Sequence, residues 1–230
     1  MYISLETVDS CLPPSPPVSF KCPVCQMFSY SPASFSDKDT CNKCSLFAAL
    51  EARLGEFEQS PAGPEQPALT LVIGSSILRN VKLVAPATAV VCVPGAKAGN
   101  VECYLKLLAK DNHKYRKIIL HVGGNDTRLR KSEITKMNVK SLCAYAKTMS
   151  DSVVFSGPLP NLISDDMYSR MSSFHRWLSW CPANDVGYID NWRGFWGKPG
   201  LIRRVGIHPT LDGAALISKN LTESIIGHKP

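Results

Sequence analysis

The chain has 230 residues, of which 44% are hydrophobic and 20% charged, with a formal net charge of +7. This is the composition of a folded globular protein and not of a collagen-like or low-complexity one. No apolar run reaches the ~20 residues of a membrane-spanning helix. The opening MYISLETVDSCLPPSPPVSF lacks the basic and apolar regions of a signal peptide, so an intracellular, cytoplasmic or nuclear, location is expected.

The charge is unevenly placed. Residues 1–67 carry 4 Lys/Arg and 8 Asp/Glu, net −4, so the rest of the chain carries net +11. A basic surplus attracts nucleic acid or an anionic membrane surface, or is simply a solvated face.

In chain order, the Pro-rich 11-CLPPSPPV-18 marks residues 1–20 as a disordered arm. Residues 21–57 form a small module whose core motif is 22-CPVCQMFSYSPASFSDKDTCNKC-44. Its two C-x-x-C pairs, Cys22 with Cys25 and Cys41 with Cys44, are separated by 15 residues, the spacing of a four-cysteine zinc site. Four thiolates complete a tetrahedron around Zn²⁺, so a structural zinc-ribbon-like module is expected. Its metal would supply much of its folding energy. The bland alternative is a set of reduced or redox-active cysteines. The following 45-SLFAALEARLGEFE-58 places Leu46, Phe47, Leu50, Leu54 and Phe57 near one helical face, for packing on the module or for self-association. Cys11, Cys92, Cys103, Cys143 and Cys181 show no disulfide pattern and read mostly as buried thiols. Residues 58–68, rich in Pro, read as a linker.

From residue 69 to 226, strand and helix signals alternate. The runs 70-TLVI-73, 89-AVVC-92, 117-KIILH-121, 152-SVVFS-156 and 186-VGYID-190 are short, β-branched and nearly continuous, as parallel strands covered on both faces should be. Helical segments are expected over 99–109, 131–149, 166–180 and 211–225. In the second of these, Ile134, Met137, Leu142, Ala146 and Met149 fall roughly on one face. The alternation predicts a three-layer α/β/α, flavodoxin-like fold with a parallel five-stranded sheet. Sites in such folds form beyond the carboxyl ends of the strands.

Four short pieces sit where such a site would form: 74-GSS-76, 95-GAKAGN-100, 123-GGND-126 and 206-GIHP-209. Each alone is weak. Ser76 could be a helix N-cap, Asn125-Asp126 an Asx-type turn, and His208 a cap for the last helix. His121 reads as a core histidine; His113, His175 and His228 read as surface or terminal. The aromatic 188-YIDNWRGFW-196 either borders a cleft or packs as a loop.

Taken together, in this order and spacing, the four pieces resemble the blocks of the SGNH (GDSL-like) hydrolases over nearly all of residues 69–226. With the cysteine module, VIGSSILRN and HVGGNDTR also resemble the esterase domains of fish LINE-type retrotransposon first-open-reading-frame proteins and genes derived from them. That narrower resemblance implies a role beside element RNA or membranes. The family resemblance implies a serine esterase acting on an acyl or acetyl ester. Carried over by position, Ser76 is the nucleophile and His208 the general base. Gly99 and Asn125 join the Ser76 N–H in an oxyanion hole, with Gly95 as a turn glycine and no catalytic cofactor. The chemistry suits these residue types. A serine hydroxyl needs a base to take its proton, and preorganised donors must meet the charge of the tetrahedral intermediate.

The sequence departs from the family in two places. Ser75 stands where an Asp is usual. Val205 stands three residues before His208, where the triad acid belongs. Valine accepts no hydrogen bond, so three readings stand open: impaired chemistry by a Ser76–His208 dyad, rescue by Asp190 or, second, Asp212, or a backbone carbonyl that orients the ring. The competing reading is a non-catalytic module that holds RNA or single-stranded nucleic acid through basic runs such as 106-KLLAKDNHKYRK-117 and 128-RLRK-131.

Overall fold

The computed structural model describes two short strands near the N-terminus and residues 69–109 and 114–227. By internal contacts the chain divides into two units, Met1–Ala52 and Arg53–Pro230. In the first, β1 (Phe20–Lys21) pairs antiparallel with β2 (Phe28–Ser29), with Phe20 opposite Ser29 and Lys21 opposite Phe28. The expected zinc ligands Cys22, Cys25, Cys41 and Cys44 all lie outside the described residues, so their expected tetrahedron stays a reading of the sequence. The helix expected after them, the linker, Cys11, His113 and His228 lie outside the described residues as well.

The second unit is built on five parallel strands: β3 (Thr70–Gly74), β4 (Thr88–Cys92), β5 (Lys117–His121), β6 (Val153–Ser156) and β7 (Gly187–Ile189). Their order across the sheet is β4-β3-β5-β6-β7, every pair parallel. The helices between them are α1 (Ala98–Leu108), α2 (Ser132–Met149), α3 (Asp165–Trp177), α4 (Asn191–Phe195) and α5 (Leu211–Ile226). All five strands and four helices expected from the pattern are present, and the flavodoxin-like order follows. The short α4 and several 3₁₀ turns carry too few residues for a periodic signal.

Burial explains the strand pattern. Every residue of β3 and β6 is buried, as covering on both faces demands, whereas edge strand β4 alternates buried and half-buried. Val72, Ile119, Leu78, Ile217 and Leu221 belong to one apolar cluster between the sheet and α5. Each fully buried side chain of this size is worth about 1.5–3 kcal/mol.

Helix α2 corrects one expectation. Its buried face is Thr135, Val139, Leu142, Cys143, Ala146 and Met149, while Ile134 and Met137 are 46% and 67% exposed. The helix is rotated so that Thr135 turns inward, where its hydroxyl donates to the Lys131 carbonyl at 3.2 Å. The cysteines of this unit also divide: Cys143 and Cys181 are buried, Cys92 is half-buried and Cys103 is exposed. No helix among the described residues is long and apolar enough to cross a membrane.

The strand order reverses between β3 and β5, which makes the crevice beyond their carboxyl ends the expected site. Those ends are drawn tightly together. The Ser75 N–H donates to the His121 carbonyl at 3.0 Å, and the Val93 N–H donates to the Gly74 carbonyl at 2.8 Å. Gly74 must be glycine, because a Cβ there would collide with the His121 carbonyl.

Candidate active site

Ser76 is the first residue of a 3₁₀ turn, Ser76–Asn80, launched directly from the end of β3. The N-cap of that turn is Ser75, which is buried and whose carbonyl accepts from the Leu78 N–H at 3.1 Å. Ser76 is therefore free of capping duty. Its Oγ lies 3.0 Å from Nε2 of His208, 132 residues further along the chain.

His208 is held by a tied loop. The His208 carbonyl accepts from the Arg203 N–H at 2.7 Å, and Ile202 and Pro209 form an antiparallel bridge. The Thr210 N–H donates to the Leu201 carbonyl at 2.9 Å. Gly206, at φ +76°, packs its backbone against that of Leu162, and its carbonyl accepts from the Leu162 N–H at 3.0 Å. The last helix is capped by Thr210, whose hydroxyl accepts from the Gly213 N–H at 3.2 Å, so His208 is no cap.

The turn after β5 supplies the third group. Gly123 adopts φ +103°, and a Cβ on it would run into the Phe174 ring. Glycine is thus required twice over. Asn125 Nδ2 donates to the Ala96 carbonyl at 3.0 Å, leaving one of its two N–H groups for a ligand. Asp126 is 1% exposed, and both its oxygens accept from the Ala98 N–H, at 3.1 and 3.2 Å. Burial pushes the Asp126 carboxyl up from its ordinary value, and the Ala98 N–H pulls it back. Asn125-Asp126 is therefore more than a local turn: the pair stitches the β5 turn to the start of α1.

Ser75, Ser76, His121, Gly124, Asn125 and Arg128 line one small cavity, closed on its other side by Pro158–Asn161, Met171 and Ile207. Its volume is about 40 Å³, space for a water or little more. Gly99 does not line it. Gly99 sits in the first turn of α1, whereas Asn125 is bonded to the turn of Gly95 (φ +72°) and Ala96.

The base side lacks an acid. Val205 is 66% exposed. Asp190 does not reach His208: its Oδ1 caps α4 by accepting from the Arg193 N–H at 3.1 Å, and its charge acts on His175 and Tyr188. Asp212 stands exposed in the first turn of α5. Among the described residues, neither a carboxylate nor a backbone carbonyl bonds the His208 ring. Partial burial lowers the His208 pKa first, and the charges of Arg79, Arg203 and Arg128 lower it further. This environment keeps the imidazole neutral, ready to accept a proton, but offers nothing to stabilise it afterwards. The joint action of the three arginines on His208 escaped the sequence reading, which took Arg128 only as part of a basic run, because they come from three separate turns.

Two other histidines are settled by their contacts. His121 is 3% exposed, with Nδ1 3.0 Å from Ser156 Oγ, and burial lowers its pKa to about 4, so it stays neutral. It is a core histidine, as expected, yet one edge meets the cavity. His175 is not a plain surface residue: it stacks on Trp192 at 5.0 Å and 10°, with Nδ1 2.9 Å from the Tyr188 hydroxyl. The aromatic run divides between both readings. Trp192 is buried, while Trp196 is 58% exposed and helps to line an apolar groove that shares Pro160 with the Ser76 cavity.

No family model and no curated protein matches the chain. Solved structures do. A GDSL-like lipase from Bacteroides thetaiotaomicron is 16% identical, with a TM-score of 0.60 over 78% of this chain and 98% of that one. An acetylxylan esterase from Geobacillus stearothermophilus is 14% identical, with a TM-score of 0.57 over 71% and 96%. These two share the fold. The esterase domain of the ORF1 protein from the zebrafish ZfL2-1 retrotransposon is 33% identical over 69% of this chain and 99% of that domain, with a TM-score of 0.41. In fold, the chain is similar to esterases and lipases of the GDSL-like type.

Proposed function

We propose that this protein is an SGNH-type serine esterase of short acyl or acetyl esters, slowed by the loss of its triad acid. The observation that carries the reading is the 3.0 Å contact between Ser76 Oγ and His208 Nε2 at the switch point of the sheet. Ser76 attacks the ester carbonyl carbon while its proton passes to His208 Nε2. The Ser76 N–H and the free N–H of Asn125 meet the oxyanion, with the Gly99 N–H at the start of α1 as the third donor. His208 then protonates the leaving alcohol, and water releases the acyl group from Ser76. The small cavity favours a short acyl chain. The groove beside Trp196 gives the remainder of a small ester or lipid an apolar wall.

Hydrolysis of p-nitrophenyl acetate by the protein and by Ser76→Ala tests this. Activity that Ser76→Ala removes supports the reading; activity that survives the substitution sinks it.

Cys22, Cys25, Cys41 and Cys44 are proposed to bind one structural Zn²⁺, since four thiolates are a donor set suited to that ion. About one zinc per chain by atomic absorption, lost in Cys22→Ser/Cys41→Ser, is the expected result.

A second reading, a non-catalytic binder of RNA or single-stranded nucleic acid, has one observation in its favour. A cleft of about 500 Å³ between α2 and α3 is lined by Arg130, Lys131, Lys136 and Arg170 against a single acid, Asp166. Binding that fails to weaken steeply with salt would exclude phosphate contacts as its source.

A further inference from the structure

Around the Ser76–His208 pair the charges are all of one sign. Arg128 lines the cavity beside Ser76 and Asn125. Arg79 lies one turn after Ser76, and its charge acts on Cys92, whose thiol donates to the Ser75 carbonyl at 3.6 Å. Arg203 donates its Nε–H to the Pro209 carbonyl at 3.1 Å and its backbone N–H to the His208 carbonyl. All three side chains are exposed, and their positive charges act on the His208 ring. Among the described residues none of them is in an ion pair. The acids on neighbouring turns are spent elsewhere: Asp126 on the Ala98 N–H, Asp166 on Arg130 and Arg170, and Asp190 on the Arg193 N–H. The family position that would place a carboxylate here is Val205.

Resting on the esterase reading above, we propose that this site takes esters whose alcohol part carries a negative charge, a carboxylate or a phosphate, held by Arg79, Arg128 and Arg203. The physical case has two parts. Guanidinium groups match carboxylate and phosphate oxygens in geometry as well as charge. Proton transfer from Ser76 creates an imidazolium among three cations, a cost that a bound anion offsets. The negative charge missing at residue 205 thus arrives with the substrate. The reaction stays balanced: the Ser76 Oγ–acyl bond forms as the ester C–O bond breaks, and the Ser76 proton leaves on the alcohol by way of His208. Water then returns the acyl group as free acid. All three guanidinium groups are exposed, so the anion belongs on the part of the ester that keeps solvent contact, the alcohol side.

The test compares phenyl acetate with 3-acetoxybenzoate and 3-acetoxyphenyl phosphate. Their acyl groups are identical, and a meta charge cannot reach the carbonyl within the molecule. At low salt, kcat/KM for the charged esters should exceed that for phenyl acetate by about tenfold, equivalent to ~1.4 kcal/mol. The ratio should shrink in about 0.5 M NaCl, where exposed charges are screened. It should fall toward one in Arg79→Ala/Arg128→Ala/Arg203→Ala and be largely kept in the matching triple Lys variant. Which charged ester leads tells carboxylate from phosphate. A ratio of one or below at low salt in the unaltered protein overturns the proposal. If no ester is hydrolysed, the esterase reading fails by itself and anion binding decides this one. Inorganic phosphate should then shift the His208 ring resonances saturably in the unaltered protein and not in the triple Ala variant. Absence of that shift refutes it.

Discussion

Ser76 and Asn125 follow directly from the two most central junctions of the sheet, whereas their partner His208 stands on a loop 132 residues from Ser76. The first side is fixed by backbone. Gly74 and Gly123 let strand and helix approach where no side chain fits, and Asp126 binds the β5 turn to α1. The second side is fixed by a few loop hydrogen bonds and one β-bridge. Among the described residues no carboxylate bonds the His208 ring. Placement of Ser76 is thus a property of the whole fold, while placement of His208 hangs on one loop. The two can fail separately.

The largest expected effect comes from repairing the weak side. Val205→Asp should raise kcat on p-nitrophenyl acetate by up to ~10²–10⁴-fold, the range set by the cost of losing triad-acid function in serine proteases. The same substitution should move the acid limb of the pH–rate profile upward. His208 must be neutral to act, its pKa is held low by burial and three arginines, and a carboxylate beside it raises that pKa. A rate unchanged by Val205→Asp would show that the acid is not what limits this site.

Breaking the strong side should cost less than a full triad but more than a surface change. Asn125→Ala removes an oxyanion donor and its tether to Ala96, and should lower kcat by ~10²–10³-fold. Asp126→Ala should act on stability first. It strands the buried Ala98 N–H, a loss of ~1–3 kcal/mol measurable by urea unfolding. The smallest effect is expected at Asp190→Asn. Asp190 caps α4 and bears on His175, so kcat should stay within about twofold, because a surface cap replaced by Asn loses little. A tenfold fall would place Asp190 in the proton relay after all.

Much of the strong side was legible in the sequence. β-Branched runs announced the central strands, and Gly-Gly-Asn-Asp after one of them announced a turn, whose positive φ at Gly123 the structure adds. The partner of Ser76 was legible as a residue, His208, but its surroundings were not. Arg79, Arg128 and Arg203 act on His208 from three separate turns, and no local pattern encodes that. Asp190 looked suitable because it ends a strand, yet the end of β7 feeds α4 and turns the carboxylate to a cap. Asn100, beside Gly99, accepts from the Lys97 N–H at 3.1 Å as part of the start of α1, a role that its sequence context does not announce. The face of α2 was misread for a related reason: an inward Thr135 satisfied by its own helix has no hydrophobic signature.

The buried bond from the Ala98 N–H to Asp126 carries a consequence for how such chains diverge. The aspartate of Gly-Gly-Asn-Asp is locked inside the fold, whereas Val205 is exposed. Drift can therefore silence an enzyme of this architecture while leaving its most recognisable motif untouched. A census of hydrolases that counts the motif after β5 will count scaffolds as well as catalysts.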